Sequence, residues 1–175
     1  QRAFLIAQGI VTASKSAVLA RGSICGVDTA RFRPDAAARE RIRRSHGIPA
    51  DAIVFLYLGR INRDKGLLDL AQAFAEAGTR HADAHVLLVG PDEANLRAAL
   101  TAAAAACAPR LYFAGATDRP QEYFAAADVF CLPSYREGFG TTVIEAAAAG
   151  VPAIGSRIYG ITDAIVEGET GLLFE

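Results

Sequence analysis

Ile53-Val54-Phe55-Leu56-Tyr57-Leu58-Gly59-Arg60-Ile61-Asn62-Arg63-Asp64-Lys65-Gly66-Leu67-Leu68 is the stretch that decides the fold. Its first six residues are apolar throughout rather than alternating, the pattern of a strand covered on both faces. A polar loop follows, and from Gly66 a helical run begins. A strand whose loop feeds a helix is the unit of a parallel sheet with right-handed crossovers. Outward from this unit the same order repeats. Strand-like runs at 53–58, 85–89, 110–114, 128–132, 151–154 and 171–174 alternate with helical candidates at 66–77, 93–107, 120–127, 141–149 and 161–166. The chain reads as α/β, a Rossmann-like doubly wound parallel sheet forming a single domain over residues 1–175, with 51–175 as its core of βα repeats.

The first fifty residues depart from that rhythm. Residues 9–14 and 23–27 look like strands, with Gly26 and Asp28 marking a turn. Arg33-Pro34-Asp35 opens a helix, with Asp35 as N-cap and Gly47 as terminator. Arg39, Arg41, Arg43 and Arg44 surround one large apolar residue, Ile42. Such a helix is either a solvated surface element or a contact for anionic lipid headgroups, where each basic residue adds about 1 kcal/mol.

Composition narrows the function classes. With 52% apolar and 21% charged residues over 175 positions, the chain has enough apolar material for one packed domain. A net charge of −1 argues against nucleic-acid binding. No uncharged apolar stretch is long enough to span a bilayer, since Glu145 and Pro152 interrupt the best candidate. No secretory leader pattern opens the chain. The first residue is not Met, as expected of a processed start or a piece of something longer. The three cysteines, Cys25, Cys107 and Cys131, share no metal-like spacing and read as small buried residues of a reduced, cytoplasmic compartment.

In open α/β sheets, ligands bind beyond the carboxyl ends of the strands, and three loops there hold unusual residues. In the first, Arg60 and Lys65 stand five apart and can converge on a diphosphate, one as a planar fork and one as a point charge. The alternative is a solvated turn in which Asp64 pairs with Arg60 or Arg63. In the second, Arg136-Glu137-Gly138-Phe139-Gly140-Thr141-Thr142-Val143-Ile144-Glu145 carries two carboxylates eight residues apart. Gly138 and Gly140 let backbone approach a ligand, and the N–H groups near Thr141 and Thr142 are expected to point outward at a helix start. Glu137 alone also fits a capping role. Glu145 interrupts an apolar face and needs partners, which a ribose diol could provide. Two carboxylates flanking a helix N-terminus suit a ligand with hydroxyl-rich groups either side of a phosphate, such as a nucleotide sugar. The third loop, 115–119, could supply backbone groups to a base.

Other chemistries lack their residues. There is no Asp-x-Asp triplet for a metal-bridged diphosphate, no Gly-x-Ser-x-Gly elbow and no P-loop. His81 and His85 are four apart, but the sequence between them reads as a helix end running into a strand.

Taken together these segments resemble the donor-binding half of GT-B retaining glycosyltransferases, family 4 or "glycosyl transferases group 1". The resemblance rests on Gly26-Val27-Asp28-Thr29 through Phe32-Arg33-Pro34, and on Gly59-Arg60 with Asp64-Lys65-Gly66. It continues through Ala127-Asp128-Val129, Pro133-Ser134, the E-x7-E pair Glu137 and Glu145, Gly150-Val151-Pro152, Gly160-Ile161 and residues 168–173. It implies that Arg60 and Lys65 hold the donor diphosphate, Glu145 the ribose hydroxyls, and Glu137 the transferred sugar. Backbone N–H groups of Gly138, Phe139, Gly140, Thr141 and Thr142 would complete the site. It implies metal-independent transfer from a nucleoside diphosphate sugar, a UDP-sugar in the surface-polysaccharide enzymes it looks most like. The acceptor would be a glycan or lipid-linked molecule, bound by an N-terminal domain that this sequence does not include, at or near the inner face of the cell membrane. A nucleotide-sugar 2-epimerase on the same architecture and a non-catalytic interaction module are the competing expectations. Cys25 stands where the family has Asn.

Overall fold

The computed structural model of the chain describes residues 2–18 and 26–175. Six strands form one sheet: β1 (Ile53–Leu58), β2 (Ala84–Val89), β3 (Leu111–Gly115), β4 (Val129–Leu132), β5 (Ala153–Ser156) and β6 (Gly171–Phe174). Their order is β3-β2-β1-β4-β5-β6, and every pairing is parallel. The chain winds outward from β1 to β3, then returns to β4 on the other side of β1. That reversal is the switch point of a doubly wound sheet, and the loops leaving β1 and β4 meet there.

Right-handed crossovers in opposite directions put helices on both faces. Helices α3 (Leu67–Gly78) and α4 (Arg97–Ala103) pack together on one face. On the other lie α5 (Pro120–Ala126) and α6 (Thr141–Ala148), with α2 (Ala36–Ser45) against α5. Aromatic rings join α5 to β4 in the core. Phe124 and Phe130 are fully buried with ring centroids 5.4 Å apart, and Phe32 adds an edge contact to Phe124 at 5.9 Å. Burying a side chain of that kind contributes about 1.5–3 kcal/mol.

At the amino ends of the strands, α2 is clamped to the sheet. Asp35 caps it by accepting the Ala38 N–H at 2.9 Å, as its position predicts. The i, i+4 pair Arg39 and Arg43 then converges on Asp128, just before β4. Each guanidinium reaches one carboxylate oxygen at 2.6 Å, and the Val54 N–H donates to the same group at 2.7 Å. Arg43 also donates to the carbonyls of Ala126, Ala50 and Ala52. The expectation of a solvated helix is therefore corrected: Arg43 is 3% exposed and locks α2 to the strand starts. Arg41 pairs with Glu122 and Arg44 with Glu40, both guanidiniums remaining exposed.

Several expected elements are also corrected. Residues 9–14 form a turn and the 3-10 segment Ala13–Lys15, preceded by the helix α1 (Arg2–Ala7). Of the strand expected at 23–27, residues 23–25 lie outside the described residues, and Gly26 and Val27 are in no strand. The helix expected over 93–107 begins only at Arg97, because Asp92 holds the N–H groups of Leu96 and Arg97 at 2.9 and 3.0 Å. It gives way to a 3-10 segment, Ala105–Arg110, which contains Pro109. Residues 161–166 make successive turns instead of a helix, and β5 starts two residues later than expected. Beside α3, its face of the sheet opens into an apolar groove of about 550 Å³, walled by Phe55, Leu70, Phe74, Cys131, Ile154 and Phe174.

Candidate functional site

The loops after β1 and β4 are zipped to each other. The Tyr135 N–H donates to the Asp64 carbonyl at 2.9 Å, and the Tyr135 hydroxyl bonds the Asp69 carboxylate. Gly66 sits at φ +63 with its backbone against Pro133; a Cβ there would stand 1.9 Å from the Pro133 carbonyl oxygen. Only glycine combines that conformation with that approach. As a result Lys65 Nζ meets Glu137 Oε1 at 2.7 Å across 72 residues of sequence, both side chains being largely buried. Ser134 donates to the same oxygen at 3.1 Å.

The start of the first loop is fixed from below. Tyr57, buried in the core, donates its hydroxyl to the Arg60 carbonyl at 2.7 Å. Burial first, and then the negative charge of Glu137, push its hydroxyl well above the ordinary tyrosine value. Arg60 itself is exposed and reaches Glu93 at 3.4 Å. Neither pairing that the sequence suggested for a solvated turn forms, since Asp64 makes no ion pair with Arg60 or Arg63 among the described residues. The side-chain oxygen of Asn62 in this loop is buried without a hydrogen-bond partner among the described residues.

Glu145 lies on the first turns of α6, half-buried. Its carboxylate makes no hydrogen bond or ion pair among the described residues. Burial pushes its carboxyl above the ordinary value, opposed by the positive charge of Arg31. Arg31 is held by Gln121 and the Asp118 carbonyl, at the loop after β3. Glu137 and Glu145 thus have opposite environments, one already engaged with a cation and one waiting.

The glycine segment between them is partly self-satisfied. The Gly140 N–H donates to the Gly160 carbonyl at 2.9 Å and the Thr141 N–H to the Phe139 carbonyl at 2.8 Å. The expectation of an outward, free N–H at Thr141 is corrected on that ground, because the loop tightens into a turn before α6 begins. Phe139 packs its ring against the core, and Thr141 and Thr142 are half-buried. Gly160 backs the loop from behind, where a Cβ would stand 2.6 Å from the Glu137 carbonyl oxygen.

The structure therefore joins Lys65 with Glu137 at one point and sets Arg60 and Glu145 apart from that contact, each with its own neighbours. Sequence reasoning missed Tyr57, Glu93 and the backing role of Gly160; a tyrosine two residues before the loop glycine was the available signal. The three histidines lie elsewhere. His85 is buried beside Tyr112 on β2 and β3, His81 lines the apolar groove, and His46 caps α2. Among the described residues no three His, Cys, Asp or Glu side chains gather as a metal site. None of Arg60, Lys65, Glu137 or Glu145 borders the apolar groove.

Residues 38–175 match the family model of glycosyl transferases group 1. The chain belongs to that family. A D-inositol 3-phosphate glycosyltransferase of Acidothermus cellulolyticus is 37% identical over 163 residues, covering 86% of this chain and 36% of that protein. The capsular polysaccharide biosynthesis glycosyltransferase CapM of Staphylococcus aureus is 30% identical over 178 residues, covering 98% of this chain and 45% of its own length. Among solved structures, the sucrose-phosphate synthase of Thermosynechococcus elongatus superposes with a TM-score of 0.80 at 30% identity, covering 98% of this chain and 42% of that one. The six-stranded parallel sheet is thus one half of a GT-B glycosyltransferase fold. The chain spans less than half the length of these relatives. No helix among the described residues is long and apolar enough to cross a membrane.

Proposed function

We propose that the chain is the donor-binding half of a retaining, metal-independent glycosyltransferase that uses a nucleoside diphosphate sugar, a UDP-sugar. The observation that carries this reading is the 2.7 Å contact between Lys65 and Glu137, with the Glu145 carboxylate left unpartnered among the described residues at the neighbouring helix start. A cation for phosphate stands beside a carboxylate for sugar hydroxyls. A second carboxylate, lacking donors among the described residues, is available to a ribose diol.

In this reading Lys65 and Arg60 bind the diphosphate. When the bond between the sugar C1 and the phosphate oxygen breaks, its electron pair goes to that oxygen, and the two cations stabilise the charge that develops there. Glu137 orients the sugar through its hydroxyls and Glu145 reads the ribose. The acceptor oxygen bonds to C1 on the face the phosphate leaves and gives its proton to the departing phosphate oxygen on that same face, so configuration is kept. A glycan or lipid-linked acceptor is then bound by a further domain of a longer protein, as suits relatives that this chain spans by less than half. The site belongs to a cytoplasmic enzyme of polysaccharide synthesis working at the membrane's inner face, with exposed Arg41 and Arg44 available to anionic headgroups.

The test is a thermal-shift panel of UDP, GDP and ADP with their glucose conjugates, run in EDTA and in Mg²⁺. UDP and UDP-glucose are expected to raise the melting temperature equally in both buffers, since a ligand at 100 times its Kd adds about 2.7 kcal/mol. Arg60→Ala with Lys65→Ala is expected to abolish the shift. No shift with any nucleotide at millimolar concentration overturns the reading, and a shift that requires Mg²⁺ overturns its metal-independent part.

A further inference from the structure

We propose that Ser134 is a positioning residue that sets the orientation of Glu137, an inference that rests on the donor-site reading above. Ser134 is fully buried, two residues beyond the end of β4, and its hydroxyl makes one side-chain hydrogen bond among the described residues, to Glu137 Oε1. A buried hydroxyl needs a partner, so the serine and the carboxylate hold each other. The serine cannot follow the glutamate if it moves. On one side Pro133 is packed on the backbone of Gly66, and on the other the Tyr135 N–H is bonded to Asp64. The hydroxyl is therefore a fixed point.

Both anchors fall on one oxygen. Lys65 Nζ and Ser134 Oγ each contact Oε1, at 2.7 and 3.1 Å, and Oε2 takes no hydrogen bond from the described residues. A carboxylate held by one oxygen presents the other as an oriented acceptor. Lys65 alone would not do this, because an ammonium on a flexible stem is a point charge that either oxygen satisfies. The serine makes the choice directional and leaves Lys65 two further N–H groups for phosphate.

The experiment measures affinity for UDP and for UDP-glucose in the protein and in Ser134→Ala, Ser134→Thr, Glu137→Ala and the Ser134→Ala/Glu137→Ala double variant, with the ligand-free melting temperature of each. Ser134→Ala is expected to reduce the ratio of UDP-glucose to UDP affinity about tenfold, as suits a lost hydrogen bond to a charged group, while UDP affinity stays within about twofold. Ser134→Thr, which keeps the hydroxyl, is expected to restore the ratio. In the Glu137→Ala background Ser134→Ala is expected to change nothing further. Equal losses for UDP and UDP-glucose, or a Ser134→Ala effect that persists without Glu137, would show a merely structural serine and overturn the inference. An inert Ser134→Ala beside an affected Glu137→Ala overturns this inference alone. A ratio unchanged by Glu137→Ala, or no binding of either probe, overturns the donor-site reading beneath it.

Discussion

Asp128, just before β4, and Glu145, on α6, are both partly buried carboxylates, and they flank the same sheet at opposite ends of its strands. Asp128, at the amino ends, is satisfied three times over by Arg39, Arg43 and the Val54 N–H. Glu145, beyond the carboxyl ends, is satisfied by nothing among the described residues. Their titrations part accordingly. Burial alone would raise Asp128, but the Val54 hydrogen bond and the two guanidiniums outweigh it and bring the group below its ordinary value. For Glu145 burial prevails and the value rises. The end of the sheet that holds the fold together spends its charges internally, and the end that carries the candidate site keeps one carboxylate unspent among the described residues.

The hardest way to break this contrast is Asp128→Ala. It leaves Arg43, 3% exposed, without its counter-charge, and truncating one member of a buried pair costs about 3–5 kcal/mol. Denaturant unfolding should show that loss, with UDP affinity unchanged wherever the protein remains folded. An intermediate effect comes from Gly66→Ala, which must move the Pro133 carbonyl and occupy a left-handed conformation. The strain is about 1–3 kcal/mol by melting, and UDP binding should weaken because the two loops separate.

The smallest effect is in pH. Because folding raises the Glu145 carboxyl, the native state holds its proton more readily than the unfolded chain. Its contribution to stability is present below the ordinary value of 4.5 and lost as pH rises through the raised one. Binding has the opposite sign if ribose hydroxyls donate to the ionised group. UDP affinity should then begin to fall, on acidification, at a pH above 4.5, and Glu145→Gln should flatten the profile in calorimetry.

Much of this was legible in the sequence. The unbroken apolar run at β1 and its repetition downstream carried the sheet, because a strand covered on both faces has no polar side to show. The four charged candidate residues stood out in the sequence because each stands in a loop or on a helix start where packing does not ask for it. What stayed hidden depended on partners far along the chain. Arg39 and Arg43 read as a surface pair because Asp128 lies 89 and 85 residues away. The apolar spacing of Ile161 and Ile165 reads as helical, yet it packs as turns behind Gly160, whose φ is +92. The hydrogen bond of Ser134 could not be seen at all, since a serine beside a proline has no sequence signal for what its hydroxyl touches.

The contact between β1 and β4 is short, with Phe55 opposite Val129 and Leu56 opposite Phe130. Everything that joins Lys65 to Glu137 is carried on that ladder. A slip of one residue would displace the strands by about 3.3 Å along each other. That exceeds the 2.7 Å separating the ammonium from the carboxylate. Mispaired chains would therefore lose the Lys65–Glu137 contact. On the donor-site reading proposed above, binding of the nucleotide sugar would double as an inspection of whether the sheet was assembled in register.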